Sequence, residues 1–147
     1  MERAAMLEVK IKKLVEHALT PEYYTEGSAG MDLTAIDHYY DYDHHFDEYG
    51  TGLAIEIPPG YVGLIFPRSS ISRKSQMLAN CVGVIDSDYR GEIKFRFKRL
   101  EDALPEYVVG ERVGQLIIMP YPEVQLVEAT ELDISLRSTN GFGSTGA

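Results

Sequence analysis

Short apolar or alternating runs, each closed within a few residues by a turn signal, follow one another along nearly the whole chain. Residues 7–14 alternate between apolar and charged positions, 53–57 and 61–66 are largely apolar, and further apolar runs occur at 116–119 and 124–127. The sharpest pattern is at 93–98, where Ile93, Phe95 and Phe97 fall on one side and Lys94, Arg96 and Lys98 on the other. A period of two predicts a strand with one face buried. Glu26-Gly-Ser-Ala-Gly30, Tyr49-Gly-Thr-Gly52, Pro58-Pro-Gly60, Gly91, Gly110, Pro120-Tyr-Pro122 and Gly141 separate these runs with turn-forming residues. Long helices are not predicted; 70–77 has room for a turn or two. Many short strands at regular spacing predict an all-β sandwich, jelly roll or closed barrel.

A chain of 147 residues makes one domain, large enough to bury about two-thirds of the surface its unfolded form exposes. Cys81 is the single cysteine, so no intramolecular disulfide can form. Within the apolar run 79–85 it reads as a small buried hydrophobe, in keeping with a reducing compartment. The N-terminal residues mix charge with apolar side chains, and no apolar run reaches membrane-spanning length, so a cytoplasmic protein with no membrane partner is expected.

Charge narrows the range of ligands. With 14 basic and 23 acidic residues the net charge is −9, which disfavours duplex nucleic acid. The same field repels a free polyphosphate, so a small phosphorylated ligand requires a local basic pocket and a divalent cation. Residues 37–49 concentrate three of the four histidines among aspartates and tyrosines. Such residues bind metals, yet their spacing here closes no ligand set, and a solvated edge strand or loop is expected.

Four segments carry candidate chemistry. The tail, Arg137-Ser-Thr-Asn-Gly-Phe-Gly-Ser-Thr-Gly-Ala147, combines glycines, hydroxyls, one arginine and one aromatic with no apolar period. Its residues suit a phosphate: glycine lets N–H groups approach oxyanions, hydroxyls add donors, and arginine is a forked cation. Phe142 could stack on a base; a frayed terminus has the same composition. Pro67-Arg-Ser-Ser70 follows an apolar strand and joins an arginine to two hydroxyls, as a phosphate clamp or an ordinary loop does. In Gly83-Val-Ile-Asp-Ser-Asp-Tyr-Arg-Gly91, Val82, Val84 and Ile85 form an expected buried strand ending at Asp86. A carboxylate at a rigid strand end can act as a general base, while Asp-Ser-Asp also suits an Asx turn. Gly110-Glu-Arg-Val-Gly-Gln115 puts an amide at the start of another strand, able to hold a phosphate oxygen or a water or to cap an edge.

Together with Ala29-Gly-Met-Asp-Leu33, these segments resemble the five ordered motifs of the trimeric dUTP diphosphatases (dUTPases), over residues 29–146. The resemblance implies a β jelly-roll domain at 1–136 and a flexible C-terminal lid at 137–147. It also implies a homotrimer whose active sites are shared between subunits. The implied reaction is hydrolysis of dUTP to dUMP and pyrophosphate with Mg²⁺ on the triphosphate, which lowers dUTP and supplies dUMP for thymidylate synthesis. Asp86 is then the general base, activating water to attack the α-phosphorus and holding the 3′-hydroxyl. Tyr89 packs under the sugar and excludes a 2′-hydroxyl. Asn80 and the backbone of Gly83, Val84 and Ile85 read uracil. Arg68, Ser69, Ser70 and Gln115 hold phosphates; Arg137 with Ser144 and Thr145 clamps the γ end; Phe142 stacks on uracil, and Gly143 also binds substrate. Asp32 reaches the metal through water, and no direct protein ligand to Mg²⁺ is implied.

Two features depart from the family pattern. Ser138 and Asn140 stand where two tail glycines are usual, and the stretch at 38–49 is atypical. The related dCTP deaminases share the fold and an Arg-Ser-Ser turn, but they carry a glutamate where this chain has Arg96, a residue of the wrong charge for a proton shuttle. A non-catalytic trimeric binding module is a third reading, which retention of Asp86 and the tail disfavours.

Overall fold

The computed structural model describes residues 6–101 and 103–141. Its regular structure is almost entirely antiparallel β: β1 (Lys10–Lys13), β2 (Glu22–Tyr23), β3 (Met31–Thr34), β4 (Asp37–Asp41), β5 (Phe46–Gly50), β6 (Leu53–Glu56), β7 (Tyr61–Phe66), β8 (Gln76–Leu78), β9 (Gly83–Ile85), β10 (Lys94–Arg99) and β11 (Arg112–Pro120). A five-residue 3-10 turn, Ser69–Arg73, stands where a short helical segment is expected. The strands form a sheet β4-β5-β10-β8, a sheet β2-β3-β11-β7-β9 and a ribbon β1-β6.

The core lies between the sheets. Phe95 and Phe97 point inward from β10 and are fully buried, with Lys94, Arg96 and Lys98 on the outer face, as the alternation predicts. They meet Leu33, Ile65, Val113 and Leu116 from the five-stranded sheet and Leu53 and Ile55 from the ribbon. Tyr49, Phe97 and Tyr107 pack with ring centroids 5.4–6.3 Å apart, a geometry worth about 0.5–1.5 kcal/mol per pair beyond area burial.

At one edge of this core a charged network replaces apolar packing. The fully buried Asp47 accepts hydrogen bonds from His38 Nε2 at 2.7 Å, Gln76 Nε2 at 2.8 Å, Arg99 Nε at 2.8 Å and Arg99 Nη2 at 2.7 Å. Burial opposes ionisation, but the Arg99, His38 and Gln76 bonds outweigh it and hold the carboxyl below the usual carboxylate range. Burial pushes the neighbouring Tyr49 phenol up to about 12. The 37–49 stretch is the β4–β5 hairpin: β4 is an edge strand, as expected, but β5 lies between β4 and β10 with Phe46, Asp47 and Tyr49 buried, so that half of the stretch is not solvated.

Several expectations are corrected. Cys81 is exposed, because β8 ends at Leu78 and β9 begins only at Gly83; it sits between them in a turn with φ of 60°. Val84 is exposed and Val82 half-buried, because β9 is an edge strand on which Gly83 and Ile85 face inward. Of residues 7–14 only Lys10–Lys13 forms a strand, with all four side chains exposed. Residues 124–127 form no strand; among the described residues the last strand ends at Pro120. Among the described residues no helix is long and apolar enough to cross a membrane.

Candidate functional site

At the end of β9, Ile85 is held in the core and the next residue, Asp86, emerges exposed. The chain turns at once: Tyr89 N–H donates to Asp86 O at 3.1 Å, and Arg90 Nη1 braces the turn through Ser87 O at 2.6 Å and Tyr89 O at 3.1 Å. The Tyr89 hydroxyl donates to Glu92 O at 3.0 Å. Its ring lies over Gly91, where a Cβ would meet the phenol and make the ring shift. Asn80 occupies the turn before β9, where Val82 N–H donates to Asn80 O at 2.6 Å.

These residues surround a cleft of about 530 Å³. Asn80, Val84, Ile85, Asp86 and Tyr89 line it, and Glu48, Lys94 and Arg96 add a charged wall from the outer face of β5 and β10. The register sets Arg96 opposite Glu48. Glu48 accepts from Lys94 Nζ and from Arg96 Nε, each at 2.8 Å. Burial works against its ionisation, yet those two cations hold the carboxyl below the usual carboxylate range, and the bond to Glu48 raises Lys94. Sequence reasoning missed Glu48 and Lys94 as cleft residues. The outward positions of Lys94 and Arg96 were legible, but what lay beside them depends on strand pairing.

A second polar group gathers on the five-stranded sheet. Asp32 on β3 accepts from Arg68 Nε at 3.0 Å through one carboxylate oxygen and from Arg112 Nη1 at 2.9 Å through the other. Arg68 Nη1 reaches Ser70 Oγ at 3.5 Å, and Gln115 Nε2 donates to Pro67 O at 3.1 Å. Gln115 also packs against Gly30, where a Cβ would lie 2.5 Å from Gln115 Oε1. Three of the sequence segments thus meet here, around two cations and one carboxylate. Arg112, which sequence reasoning passed over, sits inside the Gly110-to-Gln115 segment, and its guanidinium lies 5.0 Å from the Tyr24 ring centroid.

One chain does not unite the two groups: Arg68, Ser69, Ser70, Gln115 and Arg137 are absent from the lining of the Asp86 cleft. Arg137 is exposed and donates from Nε to Asn140 O at 2.9 Å. Phe142, Gly143, Ser144 and Thr145 lie outside the described residues.

Comparisons with known proteins bear on this arrangement. The dUTPase family model matches residues 16–146. The deoxyuridine 5′-triphosphate nucleotidohydrolase of Hydrogenobaculum sp. is 41% identical over 143 residues, 95% of this chain and 99% of its own length. That of Corynebacterium glutamicum is 39% identical over 140 residues, 94% of each chain. In fold, the dUTPase of Staphylococcus bacteriophage 80alpha, solved with dUpNHpp, superposes with a TM-score of 0.79 at 24% identity, over 97% of this chain and all of its own. A variant dUTPase from phage phi11 of S. aureus, solved with a structural Mg(II) ion, gives a TM-score of 0.71 at 23% identity, over 87% of this chain and all of its own. With a jelly-roll-like β fold and a family match from residue 16 to 146, this chain belongs to the dUTPase family of hydrolases.

Proposed function

We propose that this protein hydrolyses dUTP to dUMP and pyrophosphate in the cytoplasm, with Asp86 as general base. Asp86 takes a proton from water as the water oxygen bonds to the α-phosphorus. The bond from that phosphorus to the bridging oxygen breaks, and pyrophosphate leaves. The observation that carries this reading is the position of Asp86, exposed at the end of a core-anchored strand on the wall of a nucleoside-sized cleft. Asn80 and the 83–85 backbone read the base, and Tyr89, held by Glu92 and Gly91, packs against the sugar.

The polyphosphate belongs with Arg68, Ser69, Ser70 and Gln115. Two arginines against one carboxylate fit a polyanion carrying its own metal better than a bare cation. Mg²⁺, when bound to the triphosphate, offsets charge that builds on the phosphoryl oxygens. Asp32 orients Arg68 and has lone pairs left for a metal-bound water. Because this cluster and the Asp86 cleft are separate on one chain, we propose a homotrimer in which neighbouring subunits complete each site. The exposed apolar side chains of Val124, Leu126, Val127, Leu132, Ile134 and Leu136 support self-association. Residues 137–147 then act as a lid, with Arg137, Ser144 and Thr145 on the γ-phosphate, Gly143 allowing close approach, and Phe142 on the base.

The deaminase reading is weaker. The cleft does hold a glutamate, Glu48, but Lys94 and Arg96 both pair with it and keep it ionised, which suits a proton shuttle poorly. The test is pyrophosphate release from dUTP against dCTP, dTTP and UTP, with and without Mg²⁺, alongside light scattering for subunit number. Deaminated product from dCTP, or no turnover of dUTP, overturns the proposal.

A further inference from the structure

The turn that carries Arg68 and Ser70 is held at both ends by residues of the β11 segment. At its front, Gln115 bonds Pro67 O at 3.1 Å, and the ladder pairs Gln115 with Phe66. At its back stands Lys74, directly after the 3-10 turn Ser69–Arg73, with its N–H bonded to Ile71 O at 3.0 Å. Lys74 Nζ donates to Glu111 Oε1 at 2.9 Å, to Glu111 Oε2 at 2.8 Å and to Glu106 O at 3.3 Å. An ammonium has three N–H donors, and these acceptors occupy all three. Its side chain is only 13% exposed, and the ammonium lies 4.7 Å from the Tyr107 ring centroid. Lys74 is therefore committed to contacts within the fold.

Glu111 is equally committed. One of its oxygens also accepts from Val108 N–H at 2.8 Å, and its backbone carbonyl accepts from Ala35 N–H at 2.9 Å, just beyond β3. Burial opposes its ionisation, but Lys74 and the Val108 N–H hold the carboxyl below the usual range. The next residue, Arg112, bonds Asp32, which bonds Arg68. Charges thus alternate from the back of the turn to its front: Lys74, Glu111, Arg112, Asp32, Arg68.

We propose that the Lys74–Glu111 ion pair is a strut that fixes the Arg68–Ser70 turn against β11, making Lys74 a positioning residue for the polyphosphate of the substrate. The inference rests on the assignment of that turn to phosphate binding. Displacement of such a turn by about 1 Å is enough to cost large factors in binding and rate. A nucleoside monophosphate makes no use of the β and γ phosphate contacts, so it is the internal control.

The experiment measures dissociation constants for dUpNHpp with Mg²⁺ and for dUMP, together with KM and kcat for dUTP, in wild type, Lys74→Met, Glu111→Gln and Lys74→Arg. Lys74→Met is expected to weaken dUpNHpp and raise KM by about tenfold while dUMP binding changes by less than about twofold. Glu111→Gln should move both in the same direction by a smaller factor, and Lys74→Arg should restore most of the loss. If Lys74→Met does not fold, Glu111→Gln carries the comparison, with Lys74→Arg as the charge-preserving control. A folded Lys74→Met or Glu111→Gln variant whose dUpNHpp to dUMP affinity ratio matches wild type, or that loses both ligands equally, overturns the strut. A wild-type protein that fails to release pyrophosphate from dUTP overturns instead the functional reading on which it rests.

Discussion

Asp47 lies within β5 and Asp86 just past the end of β9, and their surroundings differ as sharply as the roles proposed for them. Asp47 is fully buried and accepts four hydrogen bonds from His38, Gln76 and Arg99. Those bonds stabilise the carboxylate, knit β4, β5, β8 and β10 together, and leave it unsuited to accept a proton from water. Asp86 stands one residue beyond the last core contact of β9, exposed on a cleft wall. A general base needs access to water and a carboxylate that no strong partner has already claimed. Anchoring the strand and leaving its end open provides the first without sacrificing rigidity.

The most severe test of this contrast is Asp86→Asn. It should lower kcat on dUTP by about 10²- to 10⁴-fold while dUpNHpp affinity stays within about tenfold, because the amide keeps a hydrogen-bonding contact but cannot take the proton. A kcat near wild type would remove Asp86 from the base role. Asp47→Asn should do the reverse: turnover per folded molecule stays near normal, and unfolding free energy near neutral pH falls by about 3 kcal/mol. That is the low end for a broken buried pair, because Arg99 is 39% exposed. Denaturant titration reads it, and a loss below about 1 kcal/mol would show the network to be dispensable.

The same network predicts a pH dependence. The folded carboxyl of Asp47 is depressed, so its contribution is present above its unfolded pKa, about 3.9, and is lost as pH falls through that value toward the folded one. The stability gap between wild type and Asp47→Asn should therefore narrow on acidification below about pH 4. A gap that widens there would reverse the sign of the argument.

Smaller effects are expected at the rim of the cleft and far from it. Tyr89→Ala should raise the kcat/KM of UTP relative to dUTP by about tenfold even as both fall, since the space the ring occupies opens to a 2′-hydroxyl. An unchanged ratio would locate sugar discrimination elsewhere. Least of all should follow from Lys10→Ala: the Lys10–Glu56 pair spans 3.3 Å, but its side chains are 81% and 47% exposed. Exposed pairs contribute about 0.2–1 kcal/mol, so a melt indistinguishable from wild type is expected, and a loss comparable to that of Asp47→Asn would contradict the ranking.

The sequence alone determined the all-β class, the facing of β10 and the short motifs that mark the family. Each depends on local information: the two-residue period of 93–98, the glycines and prolines that end strands, and short ordered motifs. Tertiary structure decided whatever depends on partners distant in the chain. Asp32 reads as a free carboxylate until Arg68 and Arg112, 36 and 80 residues away, arrive on either side of it. Glu48 enters the cleft only because the register sets it opposite Arg96. Asp47 looks like one more acid in a polar stretch, and only sheet pairing with β10 and the approach of Gln76 turn it into a buried hub. Cys81 and Val84 lie in an apolar run that composition alone marks as core, but a turn and an edge strand expose them, because burial is set by which sheet face is covered and not by the run itself.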